Sequence, residues 1–129
     1  MPVATESGNY ADESGEGLIA NVLTDYWDGY PVTSPAEKFN PSPLGIYDLG
    51  GNVAEWVNDY YAVYPTNLKQ AELDPLGPGE GTVRVIRGSS WRHSSISSLR
   101  FTYRDYGTLG RLDFGFRIAR YTDTSNIDE

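Results

Sequence analysis

Long segments without helical or strand periodicity are the feature that most constrains the fold of this chain. Four prolines fall within "YWDGYPVTSPAEKFNPSPLG", Tyr26–Gly45, and proline is excluded from helix interiors and central strands. A second such stretch, Pro65–Gly81, closes with "DPLGPGEGT". Loops of this length cannot keep one conformation through backbone pairing alone, so we expect other interactions to hold them.

Alternating apolar and polar residues predict short strands, most of them in the second half of the chain. "TVRVIRGSSW", "LRFTYRDY" and "FGFRIARY" follow a period of two. In "NVAEWVNDYY" the same period predicts two faces, with Ala54, Trp56 and Asn58 on one and Val53, Glu55, Val57 and Asp59 on the other. Residues 1–17 are predicted to be irregular, and Gly17–Tyr26 fits either a short helix or a turn. The expected class is α+β, with short antiparallel strands, long ordered loops and little helix.

The length of 129 residues fits one compact domain, residues 1–129, with an acidic tail at 121–129. The sequence has no cysteine, which excludes disulfides, thiolate metal sites and cysteine nucleophiles. A chain without cysteine suits either redox environment, so this feature leaves the compartment open.

The formal charge of −8 argues against a nucleic-acid partner, because phosphate binding needs clustered Lys and Arg. Much of the acidic excess falls in Glu6–Glu16 and Asp123–Glu129, where it can simply solvate the ends. No apolar run is long enough to predict a membrane span.

The stretch "IYDLGGNVAEWVNDYY", Ile46–Tyr61, sets a carboxylate on each side of a Gly-Gly-Asn turn. The residues alone favour an ordinary explanation, in which Asp48 and Gly50 form an Asx turn and Glu55 is a solvated strand residue. The other explanation is a cation between the two carboxylates, and the wider sequence bears on that choice.

Three motifs carry a resemblance: "NPSPLGIYDLGGNVAEWVNDYY", "DPLGPGEGTVRVIRGSSW" and "YRDY…GRLDFGFRIAR". In order and spacing they resemble the signature of the formylglycine-generating enzyme family, also called the sulfatase-modifying factor family, over about Asn9–Arg120. The resemblance implies a variant of the C-type lectin fold, poor in regular structure and held by calcium. The matching part corresponds to roughly the C-terminal half of a family domain. We therefore expect a fragment, a processed piece or a reduced domain that needs a partner.

The resemblance also implies two structural calcium sites. The ligands of the first are the carboxylates of Asp48 and Glu55 and the backbone carbonyls of Gly51 and Val53. The ligands of the second are Asn9, the carbonyl of Tyr10, Asp28 and the carbonyl of Tyr30. Oxygen ligands of this kind, with glycine allowing carbonyls to converge, are what calcium takes in proteins.

Catalytic members of the family oxidise a cysteine in a sulfatase-type peptide to formylglycine, using molecular oxygen and copper held by two cysteines. Counted from "RGSSW", those positions are His93 and Ser98 in this chain. One imidazole and one hydroxyl cannot replace two thiolates around copper(I). We therefore predict no copper site and no copper-dependent formylglycine formation.

Four residues define the groove that the resemblance predicts: Ala54, Ser90, His93 and Ser98. Ser90 matches the family serine beside the reactive centre, and Ala54 stands where an aromatic residue is common. His93 is the only histidine, and it fits either a hydrogen-bonded structural role or a groove-facing ligand or base. No Ser-His-Asp triad can be assigned from the spacing.

Arginines and aromatics in these motifs have structural explanations. Arg87, Arg104 and Arg117 are expected to brace loops by pairing with carboxylates such as Asp105 and Asp113. An incomplete domain would leave aromatic side chains uncovered, and we expect these to be Tyr10, Trp27, Tyr60, Tyr61 and Tyr64.

The sequence thus predicts a domain without oxidase chemistry that acts as a calcium-stabilised binding or scaffold module. Its partner would be a protein or peptide ligand, or the missing N-terminal half. The alternative is a metal-dependent oxidoreductase, of the formylglycine-generating or non-haem iron type, whose remaining ligands lie in a missing N-terminal part. The calcium sites favour an extracytoplasmic location, periplasmic or secreted.

Overall fold

The structure is a computed structural model that describes residues 3–64 and 75–120. Its regular part is one sheet of four short strands, β1 (Ala54–Tyr60), β2 (Arg84–Arg87), β3 (Arg104–Gly107) and β4 (Phe114–Gly115). The strands lie in the order β3-β2-β1-β4. Among the described residues the only helix is a single 3-10 turn at Glu13–Gly15, and none is long and apolar enough to span a membrane.

Strand β1 lies inside the sheet and has a neighbour on each side. It pairs antiparallel with β2, and the register breaks between Trp56 and Tyr60, where β1 advances four residues while β2 advances two. On the other side it pairs in parallel with β4, with Ala54 opposite Phe114. This parallel pair brings the C-terminal motif beside the Gly-Gly-Asn turn, which directly precedes β1.

All four predicted strand segments contain strands: "NVAEWVNDYY", "TVRVIRGSSW", "LRFTYRDY" and "FGFRIARY". The prediction was wrong in extent for "FGFRIARY", because regular pairing stops at Gly115 and the side chains of Phe116 and Ile118 are exposed. An alternating sequence becomes a strand only where a neighbour supplies hydrogen bonds, and β1 supplies them for two residues. Gly17–Tyr26 contains turns and isolated bridges, so the turn alternative holds there.

The Gly-Gly-Asn turn joins three distant loops through Asn52. Its N–H donates to the carbonyl of Asn9 at 2.8 Å, and its carbonyl accepts from the N–H of Trp91 at 2.9 Å. Its side-chain amide exchanges two hydrogen bonds with the backbone of Ser34, each at 3.2 Å. Contacts of this kind can hold long loops where ladder pairing is absent.

The buried apolar core is small and consists of Tyr10, Ala11, Tyr26, Phe39, Ala54, Val85, Ile86 and Trp91. The expectation that Tyr10 is uncovered was wrong: its ring packs 5.9 Å from that of Tyr26 and is buried. Trp27 and Tyr64 are exposed as expected, and Tyr60 and Tyr61 are half-buried. The N-terminal loop thus builds its own aromatic core beside the sheet.

Candidate functional site

Two of the predicted groove residues, Ser90 and His93, belong to one hydrogen-bond network with Asp113. Ser90 and Asp113 have no exposed surface, and the Ser90 hydroxyl donates to Asp113 Oδ2 at 2.8 Å. The backbone N–H of Ser90 donates to Nδ1 of His93 at 2.9 Å. Arg111 donates two hydrogen bonds to the Asp113 carboxylate, from Nε to Oδ1 at 3.0 Å and from Nη2 to Oδ2 at 2.9 Å. Each member of the network is therefore held in place by its neighbours.

This network contains the residue types of a catalytic triad in a different order. In a triad the histidine lies between the serine and the acid, whereas here the Ser90 hydroxyl lies between Asp113 and His93. The single hydroxyl proton is directed to Asp113, and the hydroxyl oxygen also accepts from the N–H of Arg92 at 3.3 Å. Ser90 is fully buried and its hydroxyl donates to Asp113, so the network links the Ser90 and Asp113 segments.

His93 is half-buried, and burial lowers its pKa below the ordinary value of 6.5. Asp113 and Asp105 act in the opposite direction, while Arg111 and Arg92 add to the lowering. Since Nδ1 accepts the Ser90 N–H, the neutral ring carries its proton on Nε2. The ring also packs edge-to-face against Tyr103, with centroids 5.6 Å apart. His93 is thus held by a hydrogen bond at Nδ1 and by an aromatic contact.

The other two groove residues are buried. Ala54 opens β1 and is 1% exposed, and Ser98 is 6% exposed. The Ser98 hydroxyl donates to the carbonyl of Ser95 at 2.8 Å and lies 2.8 Å from the Ser95 hydroxyl, so its bonds stay within one turn. The structure brings Ser90 and His93 together, while the recorded hydrogen bonds of Ser98 link it to Ser95 instead.

Open clefts lie elsewhere on the described surface. Two clefts of ≈ 220 and ≈ 260 Å³ meet at Leu49, Gly50, Leu99 and Phe101. A larger cleft of ≈ 680 Å³ is lined by residues that include Tyr60, Tyr64, Leu76, Arg87 and Arg104. The linings of these three clefts do not include the four predicted groove residues.

The second predicted calcium site is a cluster of interlocked polar groups. The Asp28 carboxylate accepts the N–H of Tyr10 at 2.9 Å through Oδ2 and the N–H of Tyr30 at 2.7 Å through Oδ1. Asn9 is fully buried, and its Nδ2 donates to the carbonyl of Val32 at 2.5 Å. Its Oδ1 has no hydrogen-bond partner among the described residues. A buried acceptor without a donor is costly, and a cation would satisfy it.

Electrostatics at this cluster also suit a cation. Burial raises the pKa of Asp28 above its ordinary value, hydrogen bonds from the N–H groups of Tyr30 and Tyr10 act against the rise, and the nearby Asp12 adds to it. Both effects that raise the pKa disfavour the charged carboxylate. A bound cation would instead favour the charged form of the Asp28 carboxylate.

The first predicted calcium site is organised partly by an arginine. Arg117 donates from Nε to Glu55 Oε2 at 2.7 Å and from Nη2 to Glu55 Oε1. It also donates to the carbonyls of Tyr47 at 3.1 Å and Asp48 at 3.0 Å. Asp48 Oδ2 accepts from the N–H of Glu37 at 3.1 Å. Glu55 is thus already neutralised, so this site needs a cation less than the second does.

The donor sets fit calcium to different degrees. The four carbonyls assigned to the sites, those of Tyr10, Tyr30, Gly51 and Val53, accept no hydrogen bond in the recorded network of the described residues. Those same residues contain no cluster of three or more His, Asp or Glu side chains that could hold a metal. Calcium would therefore rely on carbonyl and amide oxygens beside the one or two carboxylates of each site, a donor set that suits calcium better than a transition metal.

Sequence reasoning missed two residues that organise these sites, Asp12 and Asn52, and it gave Asp113 the wrong partner. Asp113 was expected to pair with one of three named arginines, but its partner is Arg111, two residues away. Arg117 pairs with Glu55, and Arg87 and Arg104 donate to backbone carbonyls. The close spacing of Arg111 and Asp113 was a usable local signal. Asn52 gave none, because its partners are distant in sequence, and the local Asp12–Ser14 spacing of a cap gave no sign of the bond from Asp12 to Asp28.

Fold and site together define a loop-rich α+β domain, with a small sheet that carries long loops and a closed polar network around Ser90. A family model, "Sulfatase-modifying factor enzyme 1-like domain", matches residues 4–122. The chain belongs to this family, which confirms the resemblance and the formylglycine-generating-enzyme-like fold with little helix. Its relation to the C-type lectin fold stays a prediction.

Three proteins of different kinds contain a region similar to this chain. The chain is 38% identical over 91 residues to "Serine/threonine-protein kinase Pkn1" of Chlamydia trachomatis, a match that covers 68% of the chain and 15% of the kinase. It is 34% identical over 131 residues to "Formylglycine-generating enzyme" of Streptomyces coelicolor, covering 95% of the chain and 40% of that protein. The structure of "Treponema denticola variable protein 1" superposes with a TM-score of 0.65 at 30% identity, covering 84% of this chain and 34% of that one. The chain therefore spans well under half of each relative.

Proposed function

We propose that this chain is a non-catalytic member of its family that acts as a calcium-stabilised binding or scaffold module. The observation that carries the proposal is the hydrogen-bond network of the buried Ser90 and Asp113 with the half-buried His93, residues that the resemblance assigns to the surroundings of the family's reactive centre. With no cysteine in the sequence, no thiolate pair is available for copper there.

Calcium would stabilise the loops by satisfying oxygen atoms that the protein leaves without donors. The better-fitting site joins the N-terminal loop to the "DGY" loop through Asn9 and Asp28, with carbonyls from Tyr10 and Tyr30. The other site lies at the turn before β1, where Arg117 already donates hydrogen bonds to the carbonyl of Asp48 and the carboxylate of Glu55. Such loops, once fixed, can present side chains to a protein or peptide partner.

The enzyme alternative requires metal ligands from another part of the polypeptide. In its favour is the 34% identity to the Streptomyces enzyme. Against it, the one histidine already uses Nδ1 as an acceptor for the N–H of Ser90, and it would contribute one ligand to a site that needs several.

The test has two arms. In the first, the chain is incubated with copper and a sulfatase-type peptide, and mass spectrometry follows conversion of the cysteine to the aldehyde. The Streptomyces enzyme under identical conditions is the positive control. We expect no conversion by the chain, and aldehyde formation above the enzyme-free blank would contradict the proposal.

The second arm measures thermal midpoints with calcium and with a chelator. We expect calcium to raise the midpoint by several degrees, since saturation at about 100 times Kd adds about 2.7 kcal/mol. In Asp28→Asn the rise of the midpoint with calcium should be mostly lost, and in Asp48→Asn it should be reduced by a smaller amount. Glu16→Gln is the control, because Glu16 is exposed and belongs to neither site, and its midpoint should rise as in wild type. A midpoint that calcium leaves unchanged would refute calcium stabilisation.

A further inference from the structure

Asp12 is a fully buried carboxylate that none of the sequence motifs explains. Its Oδ1 accepts from the N–H of Ser14 at 2.9 Å and from the Ser14 hydroxyl at 2.5 Å, which caps the 3-10 turn that follows. Its Oδ2 accepts from the backbone N–H of Asp28. Both oxygens are therefore used, and one of them reaches a loop 16 residues further along the chain.

A chain of hydrogen bonds leads from Asp12 to the second calcium site. Asp12 holds the backbone of Asp28, and the Asp28 carboxylate in turn holds the N–H groups of Tyr10 and Tyr30. The carbonyls of these two tyrosines, with Asp28 itself, are three of the four assigned ligands. Their relative placement therefore depends on a residue that is not among the assigned ligands.

An independent observation marks this cluster as a place for a ligand. Asn9, the fourth assigned residue, is fully buried, and its Oδ1 has no donor among the described residues. The cluster thus combines two neighbouring carboxylates with an unsatisfied buried oxygen. A divalent cation would offset the charge of the two carboxylates and would also bind the unpaired Oδ1 of Asn9.

We propose that Asp12 is the positioning residue of this site, which fixes the Asp28 loop on the Asn9 loop and supplies a second negative charge without binding the cation directly. The proposal rests on the calcium site of the proposed function. Groups that orient metal ligands affect affinity strongly, with losses of about 10–100-fold on mutation. Ligand charge and rigidity likewise set calcium affinity.

The experiment compares Asp12→Asn with Glu13→Gln in the full chain. Glu13 is the adjacent residue, it is exposed, and its neutralisation changes the net charge by the same amount. Calcium binding is measured by isothermal titration calorimetry. We expect the Kd to rise about tenfold or more for Asp12→Asn and to stay within about twofold of wild type for Glu13→Gln. Equal effects of the two variants would overturn the proposal.

Amide hydrogen exchange in chelator tests the positioning role without metal. In Asp12→Ala the N–H groups of Asp28, Tyr10 and Tyr30 should exchange faster than in wild type, while those of β2 should not change. If protection at the three amides is retained, Asp12 positions nothing and the proposal fails. If wild type binds no calcium but these amides lose protection in Asp12→Ala, calcium stabilisation fails and the positioning role stands.

Discussion

At Gly51 the chain has no room for a side chain. A Cβ there would lie 2.6 Å from the carbonyl oxygen of Asn9 and 2.8 Å from its nitrogen, and φ is +88°. Gly51 therefore lets the turn before β1 lie directly against the N-terminal loop. The turn combines close approach with a left-handed backbone, and both require glycine.

Gly51→Ala should lower the free energy of unfolding by about 2–4 kcal/mol, because it adds a steric clash to left-handed strain. Gly17 provides a matched control, since its φ is +84° and nothing lies within 4 Å of the position that a methyl group would take. Gly17→Ala should cost about 1 kcal/mol from strain alone. Urea denaturation measures both, and equal losses would show that contact with Asn9 does not matter.

His93 gives the fold a dependence on pH. Its folded-state pKa is lowered from 6.5 by burial, so the unfolded chain binds a proton more readily than the folded one. This contribution to stability is fully present above about pH 6.5 and is lost as pH falls through the folded pKa. Protonation would also place a hydrogen on Nδ1, opposite the N–H of Ser90.

We expect wild type to lose more stability than His93→Gln between pH 7.5 and 5, measured by urea denaturation in chelator. The carboxylates are common to both proteins, so the difference isolates the histidine. Parallel pH profiles would contradict the burial of a neutral imidazole.

At the scale of elements, β4 is attached to the sheet by two residues and then by Arg117. The guanidinium reaches Glu55 in β1 and two carbonyls of the turn before it. The side chains of Arg117 and Glu55 are 38% and 21% exposed, so solvent screens the ion pair and the hydrogen-bond geometry matters more than the charge.

Arg117→Lys should therefore destabilise the protein by about 1–2 kcal/mol, since an ammonium group cannot span the carboxylate and both carbonyls. Arg100→Lys is the control, because the one hydrogen bond recorded for Arg100 is local, to the carbonyl of Ser97. It should stay within about 0.5 kcal/mol of wild type. Chemical denaturation at constant salt is the measurement, and a neutral Arg117→Lys would show that backbone pairing alone holds β4.

The strands could be predicted from sequence because alternation is a local property. Where a strand ends could not, since Phe116 and Ile118 continue the pattern that Phe114 begins, although pairing with β1 stops at Gly115 while β1 itself continues to Tyr60. The Asn9–Asp28 cluster was found through its resemblance to a family. Asp12 was not found, because its link to Asp28 depends on how two loops meet.

At the scale of the whole molecule, much apolar surface is exposed. Phe101, Leu112 and Ile118 are 84%, 86% and 88% exposed, and they are three of sixteen large hydrophobic side chains exposed among the described residues. This surface is consistent with the expectation that the domain needs a partner or further chain.

We expect the purified chain to bind a hydrophobic dye and to self-associate with rising concentration, as followed by fluorescence and small-angle scattering. Phe116→Ser with Ile118→Ser should weaken both effects, because it removes two neighbouring exposed apolar side chains. Leu44→Ser, at an equally exposed but separate position, should have less effect. A compact calcium-bound monomer that binds no dye would refute the incomplete-domain view.

The parallel pairing of β1 with β4 also has a consequence for how the chain folds. Ala54 and Phe114 are neighbours in the sheet although 60 positions separate them in sequence. Closing so large a loop costs conformational entropy before the contacts between the two strands can stabilise it. Small domains with many contacts between residues distant in sequence therefore fold slowly. During synthesis β1 gains its outer neighbour only after nearly the whole domain has been made. Until then the edge of β1 that β4 will cover has unpaired backbone groups, which can pair with another nascent chain. If translation stalled before Phe114, this edge of β1 would stay unpaired.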